Sequence, residues 1–172
     1  FYDSSSKTLT INGDYEFGSL NGIGAIRNTG IDSLTVYIAG DSYLYSTNDC
    51  FVVDKPTKFT GPGTLNITAG NCDGTSSTNT GIYAEMTEST VTFENATVNI
   101  NADAGYWGNY DSSADTCSCV FIRNSDVNIN ATNKAFAAAK RIDLIDSYIA
   151  SPTTYYLDTT SDKTVMEKTA DG

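Results

Sequence analysis

The chain has no histidine, only three prolines, a single tryptophan, and ten basic residues against 21 acidic ones in a length of 172. Without histidine, neither a Ser-His-Asp nucleophile nor the usual Cys/His zinc set can be assembled. The formal charge of −11 repels phosphate backbones and anionic lipid surfaces, so no nucleic-acid partner is expected. Long apolar runs are missing as well. None approaches the roughly 20 residues that cross a bilayer as a helix, so no membrane insertion is expected. The opening FYDSSSKTLTI lacks the charged, apolar and cleavage regions of a signal peptide. The chain reads as soluble, or as a processed or trimmed segment.

Cysteine is scarce too. Cys50, Cys72, Cys117 and Cys119 form no CxxC pair. On a strand, Cys117 and Cys119 share a face at a separation that does not suit a direct bond, so any disulfide must involve Cys50 or Cys72. The plainer reading is free or partly buried thiols. What the chain does have is Thr, Asn, Ser, Asp and Gly, a mixture that favours many short strands joined by polar turns over long amphipathic helices. Its length suits one continuous core, so residues 1–172 are read as a single domain.

A pattern recurs along it. An apolar residue ends one strand, a turn-permissive residue follows two positions later, and another apolar residue opens the next strand. Six copies align: Ile11, Gly13, Phe17; Ile38, Gly40, Leu44; Phe59, Gly61, Leu65; Phe93, Asn95, Val98; Ile122, Asn124, Val127; Leu144, Asp146, Ile149. The middle residue is always Gly, Asn or Asp, the types that most readily take positive φ, which predicts a sharp corner. Gly serves in the first three copies and Asn or Asp in the last three, with the next apolar residue one position closer, so the corner is expected to change form halfway.

The copies lie about 21 to 34 residues apart, the range of one coil of a parallel β-solenoid. Strict alternation on either side of each corner, as in Val91 and Phe93, then Val98 and Ile100, points every second residue at a common axis. A third short strand is expected in "GIGAIRN", "CFVVD", "GIYAE", "GYWGN" and "KAFAAAK". Stacked about 4.8 Å apart, some six three-stranded coils would make a rod roughly 30 Å long around an aliphatic core. Residues 152–172, with Tyr155, Tyr156 and Leu157, are expected to cap the C-terminal end, because an open coil leaves strand edges exposed. FYDSSSKTLTI enters strand almost at once, so the first coil is expected to lack a cap of its own.

The succession "YDSSSKTLTING", "GIDSLTVYIAGDSYLYSTND", "TKFTGPGTLNITAG", "TVTFENATVNINA" and "LIDSYIASP" is similar to the right-handed parallel β-helix domains of secreted or surface proteins of gut bacteria, some grouped with carbohydrate-binding β-helices. The likeness covers nearly all of residues 2–168. It implies an all-β, single-stranded right-handed parallel β-helix, an extracellular or cell-surface location, and no catalytic motif.

In "LNI" and "VNI", Asn66, Asn99 and Asn128 sit between inward residues and should form an outward row, with Thr68, Asn101 and Asn130 as a second row. Regularly spaced amides and hydroxyls can bond a polysaccharide or, on a flat face, ice. Equally, polar residues cover a solvated sheet and bond along the stack. Tyr43 and Tyr45 flank inward Leu44, so they should extend that row with aromatic faces. The segment "AGYWGNYDSSAD" adds Tyr106, Trp107 and Tyr110 beside Asn109, and aromatic faces stack on sugar rings. Trp107 is read as falling where other coils place an inward residue such as Ile82, leaving Tyr106 and Tyr110 as the exposed candidates.

Calcium would suit an acidic chain, and Asp103, Asp111, Asp115 and Asp73 are the nearest acids to a loop cluster, but no DxDxDG loop is present. A solvated acidic loop is the plainer reading, and no other cofactor is expected. Pectate lyases and polygalacturonases share the expected fold. The paired Asp and the His of the latter are absent here, and the only arginines that could serve a lyase are Arg27, Arg123 and Arg141. Arg123, at a corner, suits a surface salt bridge. The expectation is a noncatalytic module that contacts glycan along Tyr43, Tyr45, Asn66, Asn99 and Asn128, with Tyr106 and Tyr110 as a lateral patch. The alternatives are a structural or adhesin spacer with a protein partner and, less favoured, a polysaccharide lyase or hydrolase.

Overall fold

Alternate side chains are buried along most strands, as period-2 geometry requires. In residues 64–69, for example, Leu65, Ile67 and Ala69 are buried while Thr64, Asn66 and Thr68 are half-exposed. A computed structural model describes residues 1–17, 24–70, 79–87, 89–111, 116–139, 141–151 and 164–167. Of Tyr110, Asp111, Thr116, Cys117, 148–151 and 164–167 it describes the backbone alone.

The first strands are β1 (Tyr2–Asp3), β2 (Thr8–Ile11), β3 (Asp14–Phe17), β4 (Ile26–Asn28), β5 (Leu34–Ile38), β6 (Ser42–Ser46) and β7 (Phe51–Val53). Then come β8 (Thr57–Thr60), β9 (Thr64–Ala69), β10 (Thr80–Ala84), β11 (Thr90–Glu94), β12 (Thr97–Trp107), β13 (Tyr110–Asp111) and β14 (Thr116–Cys117). The last are β15 (Cys119–Arg123), β16 (Asp126–Ala139), β17 (Arg141–Ile145), β18 (Tyr148–Ser151) and β19 (Thr164–Glu167). Among the described residues there is no helix.

Two largely parallel sheets hold these strands, apart from β13 and β14, which pair antiparallel with each other. One runs β1-β2-β5-β8-β11-β15-β17, parallel throughout except that β1 is antiparallel to β2. The other runs β3-β6-β9-β12-β10-β7-β4, with β16, β18 and β19 attached beyond β12. It doubles back because the first half of β12 pairs with β9 and the second half with β10. The strong curl wraps both sheets round one apolar axis, an arrangement consistent with a β-solenoid.

The expected third strands are present, but in β12 and β16 they run on from the preceding strand without a break. The bend is made by a bulge: Ala102 pairs with Ala131, and Ala104 with Lys134, so one residue faces two. Asp103 sits at this bulge, only 2% exposed. Its carboxylate accepts from Thr132 Oγ1 at 2.8 Å and from Asn79 N and Nδ2 at 3.3 and 3.4 Å.

The core is aliphatic with an aromatic spine. Phe51 meets Phe59 edge-on at 5.0 Å between centroids, and Phe59 stacks on Phe93 at 5.4 Å. Each such side chain, fully buried, contributes about 1.5–3 kcal/mol. The corners follow the expected chemistry with one exception. Gly13 and Gly61 have φ of 128° and 133°, whereas Asn95, Asn124 and Asp146 have 50°, 45° and 47°, so the corner does change form. Gly40 has no positive φ. Glycine serves there for close approach, since a Cβ would lie 2.7 Å from Asn12 Oδ1.

The N-terminal end differs from expectation. There β1 folds back antiparallel along β2, so the first sheet has a local edge cover. Near the other end β19 pairs antiparallel with the second half of β16. Tyr155, Tyr156 and Leu157 lie outside the described residues.

Candidate functional site

The outward residues of β6, β9, β12 and β16 form two columns. Parallel pairing aligns Tyr43 with Asn66, Asn66 with Asn99, and Asn99 with Asn128. The second column is Tyr45, Thr68, Asn101 and Asn130. This is the surface expected from the sequence, and all five of its chosen residues lie on it.

The amides bond to one another. Asn99 Nδ2 donates to Asn66 Oδ1 at 2.8 Å, Asn128 Nδ2 to Asn99 Oδ1 at 2.8 Å, and Asn130 Nδ2 to Asn101 Oδ1 at 3.0 Å. Asn66 closes the row by donating to Ser42 O at 3.3 Å. A carboxamide has two N–H donors and two acceptor lone pairs, so Asn99 spends one of each along its ladder. The remainder can meet water or a ligand hydroxyl.

Between the columns lies a shallow trough of about 330 Å³, lined by the two Asn rows, Thr68 and Tyr43. Tyr43 is 41% exposed, and its hydroxyl donates to Thr68 Oγ1 at 3.2 Å. That bond holds the phenol across the end of the trough. A second depression of about 490 Å³ continues past Tyr43 and Tyr45 to Asp14, Tyr15 and Glu16. Tyr15 pairs with inward Leu44 yet is 40% exposed, because β3 is the edge strand of its sheet. The surface thus grades from aromatic and acidic at one end to amide at the other.

The lateral patch needs correction. Tyr106 is 1% exposed, and its ring packs 6.1 Å from that of Phe136 in the core. Register places it in the column of Ile82 and Phe51, so Tyr106 cannot offer a stacking face. Trp107 pairs instead with Tyr83, and both are half-buried. The side chain of Tyr110 lies outside the described residues. The true alignment was readable from Gly81 and Gly105. Both need to be glycine, since their Cβ atoms would fall 2.3 Å from Ile100 Cγ2 and Ile129 Cγ2 respectively.

Of the acids proposed for calcium, only the Asp103 side chain is among the described residues. Asp103 is committed to the bulge, while Asp73, Asp115 and the side chain of Asp111 lie outside the described residues. Among the described residues no three acidic, Cys or His side chains are grouped to hold a metal ion. The arginines have structural settings. Arg27 pairs with Asp54 at 3.2 Å and with Glu85, Arg141 pairs with Asp143 at 2.6 Å, and Arg123 lies 5.2 Å over the ring of Phe121. Cys50 is buried and its thiol points at Thr68 O, 3.1 Å away. Cys72 and the side chain of Cys117 lie outside the described residues.

Comparison with protein-family models, curated proteins and solved structures finds no match to this chain. The resemblance drawn from the sequence therefore rests on the coil pattern alone.

Proposed function

We propose that this chain is a noncatalytic module built as a right-handed, single-stranded parallel β-helix of about six coils, and that it contacts glycan along the Tyr43–Asn128 face. Parallel pairing at three successive strand positions supports the solenoid, and the usual hand of parallel crossovers supports its sense. The observation that carries the binding reading is the Tyr43 ring, exposed and tethered to Thr68, at the mouth of a trough lined with amides. An aromatic ring covers the apolar face of a pyranose while neighbouring amides fix its hydroxyls. Such a module would work outside the cell or on its surface, the setting that the resemblance implies.

The second reading is a structural or adhesin spacer that meets a protein partner. The amide ladders favour it, because they satisfy one another without any ligand. Affinity electrophoresis in gels containing a panel of neutral and acidic polysaccharides separates the two. Retardation by at least one glycan, abolished by Tyr43→Ala with Tyr45→Ala, supports glycan contact. No retardation anywhere, or retardation that survives the double change, would remove this face as the binding surface.

A further inference from the structure

The third strand position carries a chemically different surface. Pairing aligns Arg27 with Val52, Val52 with Tyr83, and Tyr83 with Trp107. The core-facing Ile82 and Tyr106 alternate with Tyr83 and Trp107, so these two rings stand side by side on the outer surface, one strand spacing of about 4.8 Å apart. Two residues further along lie Asp54, Glu85 and Asn109. Arg27 reaches over the intervening strand, with Nη2 3.2 Å from Asp54 Oδ2 and also bonded to Glu85 Oε2. Asn109 Nδ2 donates to the carbonyl of Glu85.

One atom of this edge is unsatisfied. Asp54 is 6% exposed, and its Oδ1 is buried with no hydrogen-bond partner. Buried carboxylate oxygens are nearly always bonded, so this orphan leaves the acidity of the edge only partly compensated. Beside Asp54 are the Glu85 carboxylate and the Arg27 guanidinium. Tyr83 registers the same acidic field: its phenol is pushed up first by burial, then by Glu85, Asp49 and Asp54, with Arg27 opposing.

We propose that Tyr83 and Trp107 form a second carbohydrate subsite, which stacks a neutral pyranose against the rings and bonds its hydroxyls to the Arg27–Glu85–Asp54 edge. Aromatic faces accept the C–H faces of a sugar. A carboxylate accepts from hydroxyls while a guanidinium donates to them, and the Glu85 carboxylate and the Arg27 guanidinium, each 35% exposed, are open to the hydroxyls of a sugar seated on the rings. The excess of carboxylates disfavours uronates and sulfated sugars. This subsite lies on a different face from the Tyr43 trough and does not depend on it.

Trp107 is the only tryptophan in the chain, so emission excited at the red edge, where the tyrosines do not absorb, reports this face alone. Full-length protein is titrated with cellohexaose, maltohexaose, xylohexaose and mannohexaose, with trigalacturonate as the anionic comparison. At least one neutral hexasaccharide is expected to give a saturable change in emission, larger than any given by trigalacturonate. The change should persist in Tyr43→Ala with Tyr45→Ala, and its midpoint should weaken about tenfold or more in Tyr83→Ala and in the milder Glu85→Gln. Variants are first checked by circular dichroism and thermal melting. The proposal is overturned by an emission that no neutral hexasaccharide moves at millimolar concentration. It also falls if trigalacturonate binds more tightly, if folded Glu85→Gln titrates as wild type, or if the response disappears with Tyr43 and Tyr45.

Discussion

Asn99 donates its side-chain amide to Asn66 Oδ1 at 2.8 Å, a contact between residues 33 apart in sequence. The same side chain accepts from Asn128 at the same distance, so the middle amide of the ladder carries two bonds.

Asn99→Ala removes both bonds and leaves an amide on either side short of a partner. A loss of about 1–2 kcal/mol is expected, since each net hydrogen bond contributes about 0.5–1.5 kcal/mol. Urea denaturation measures it. An unchanged midpoint would mean that the ladder only decorates the sheet.

The Asn corners offer a test in the opposite direction. Asn124 Nδ2 donates to Asn95 Oδ1 at 2.7 Å, and Asp146 follows at the next corner with φ of 47°. Asp146→Asn keeps a residue that tolerates positive φ and adds an amide able to donate to Asn124, so a gain of about 0.5–1 kcal/mol is expected. Asn124→Ala should instead cost about 1–2 kcal/mol through the left-handed backbone and the lost bond, and Asn124→Gly less. Melting temperatures should therefore rank Asp146→Asn highest, Asn124→Gly next and Asn124→Ala lowest.

Gly105 leaves no room for a side chain. A Cβ there would meet Ile129 Cγ2 at 2.3 Å and Ala135 O at 2.7 Å, so Gly105→Ala should cost about 2–3 kcal/mol. Gly30, with nothing within 4 Å of its Cβ position, is the control, and Gly30→Ala should be neutral or slightly stabilising. Equal melting temperatures for the two variants would contradict the strand register described for β10, β12 and β16.

Burial raises the pKa of Asp49, and the Thr80 backbone N–H donating at 2.7 Å opposes that rise only in part. A carboxyl whose folded pKa lies above its unfolded value binds its proton more tightly in the folded state. Its contribution is therefore most favourable below the ordinary carboxylate range, and it is lost as pH rises through the raised value. At neutral pH the charged group is a cost. Asp49→Asn keeps an acceptor for Thr80, so it should melt higher than wild type at pH 7, with the advantage vanishing at about pH 3–4. A difference that is independent of pH would show that Asp49 acts by hydrogen bonding alone.

Much of this architecture was legible because burial has period 2 and the corners demand positive φ. Val98, Ile100, Val127 and Ile129 face the axis where alternation placed them, and Asn95, Asn124 and Asp146 turn as their types allow. Less legible were the serines that staple the corners. Ser42 Oγ accepts from Gly13 N, Ser125 Oγ from Ala96 N, and Ser147 Oγ from Ser125 N. Each is an ordinary surface residue until the neighbouring strand is placed beside it.

The error at Tyr106 and Trp107 has a different origin. Two adjacent aromatics both suit a core, and alternation decides between them only once the register is known. Gly81 and Gly105 mark that register, since a Cβ at either would meet an isoleucine side chain and a backbone carbonyl, and apolar patterning passes over glycine. The continuity of β12 and β16 was hidden for a similar reason, since the bend is made by the buried Asp103 and its bond to Thr132 and not by a Gly or Pro in the sequence.

The contacts Asn124–Asn95, Asn128–Asn99, Asn130–Asn101 and Thr132–Asp103 all span 29 residues. A stretch of that length, excised between matching corners and the ends rejoined, would leave a chain whose remaining strands still meet partners of the same kind. Inserted once more, it would lengthen the stack by one layer. For a gene, the number of stacked strand layers then becomes a quantity that slipped replication or recombination can change in whole steps.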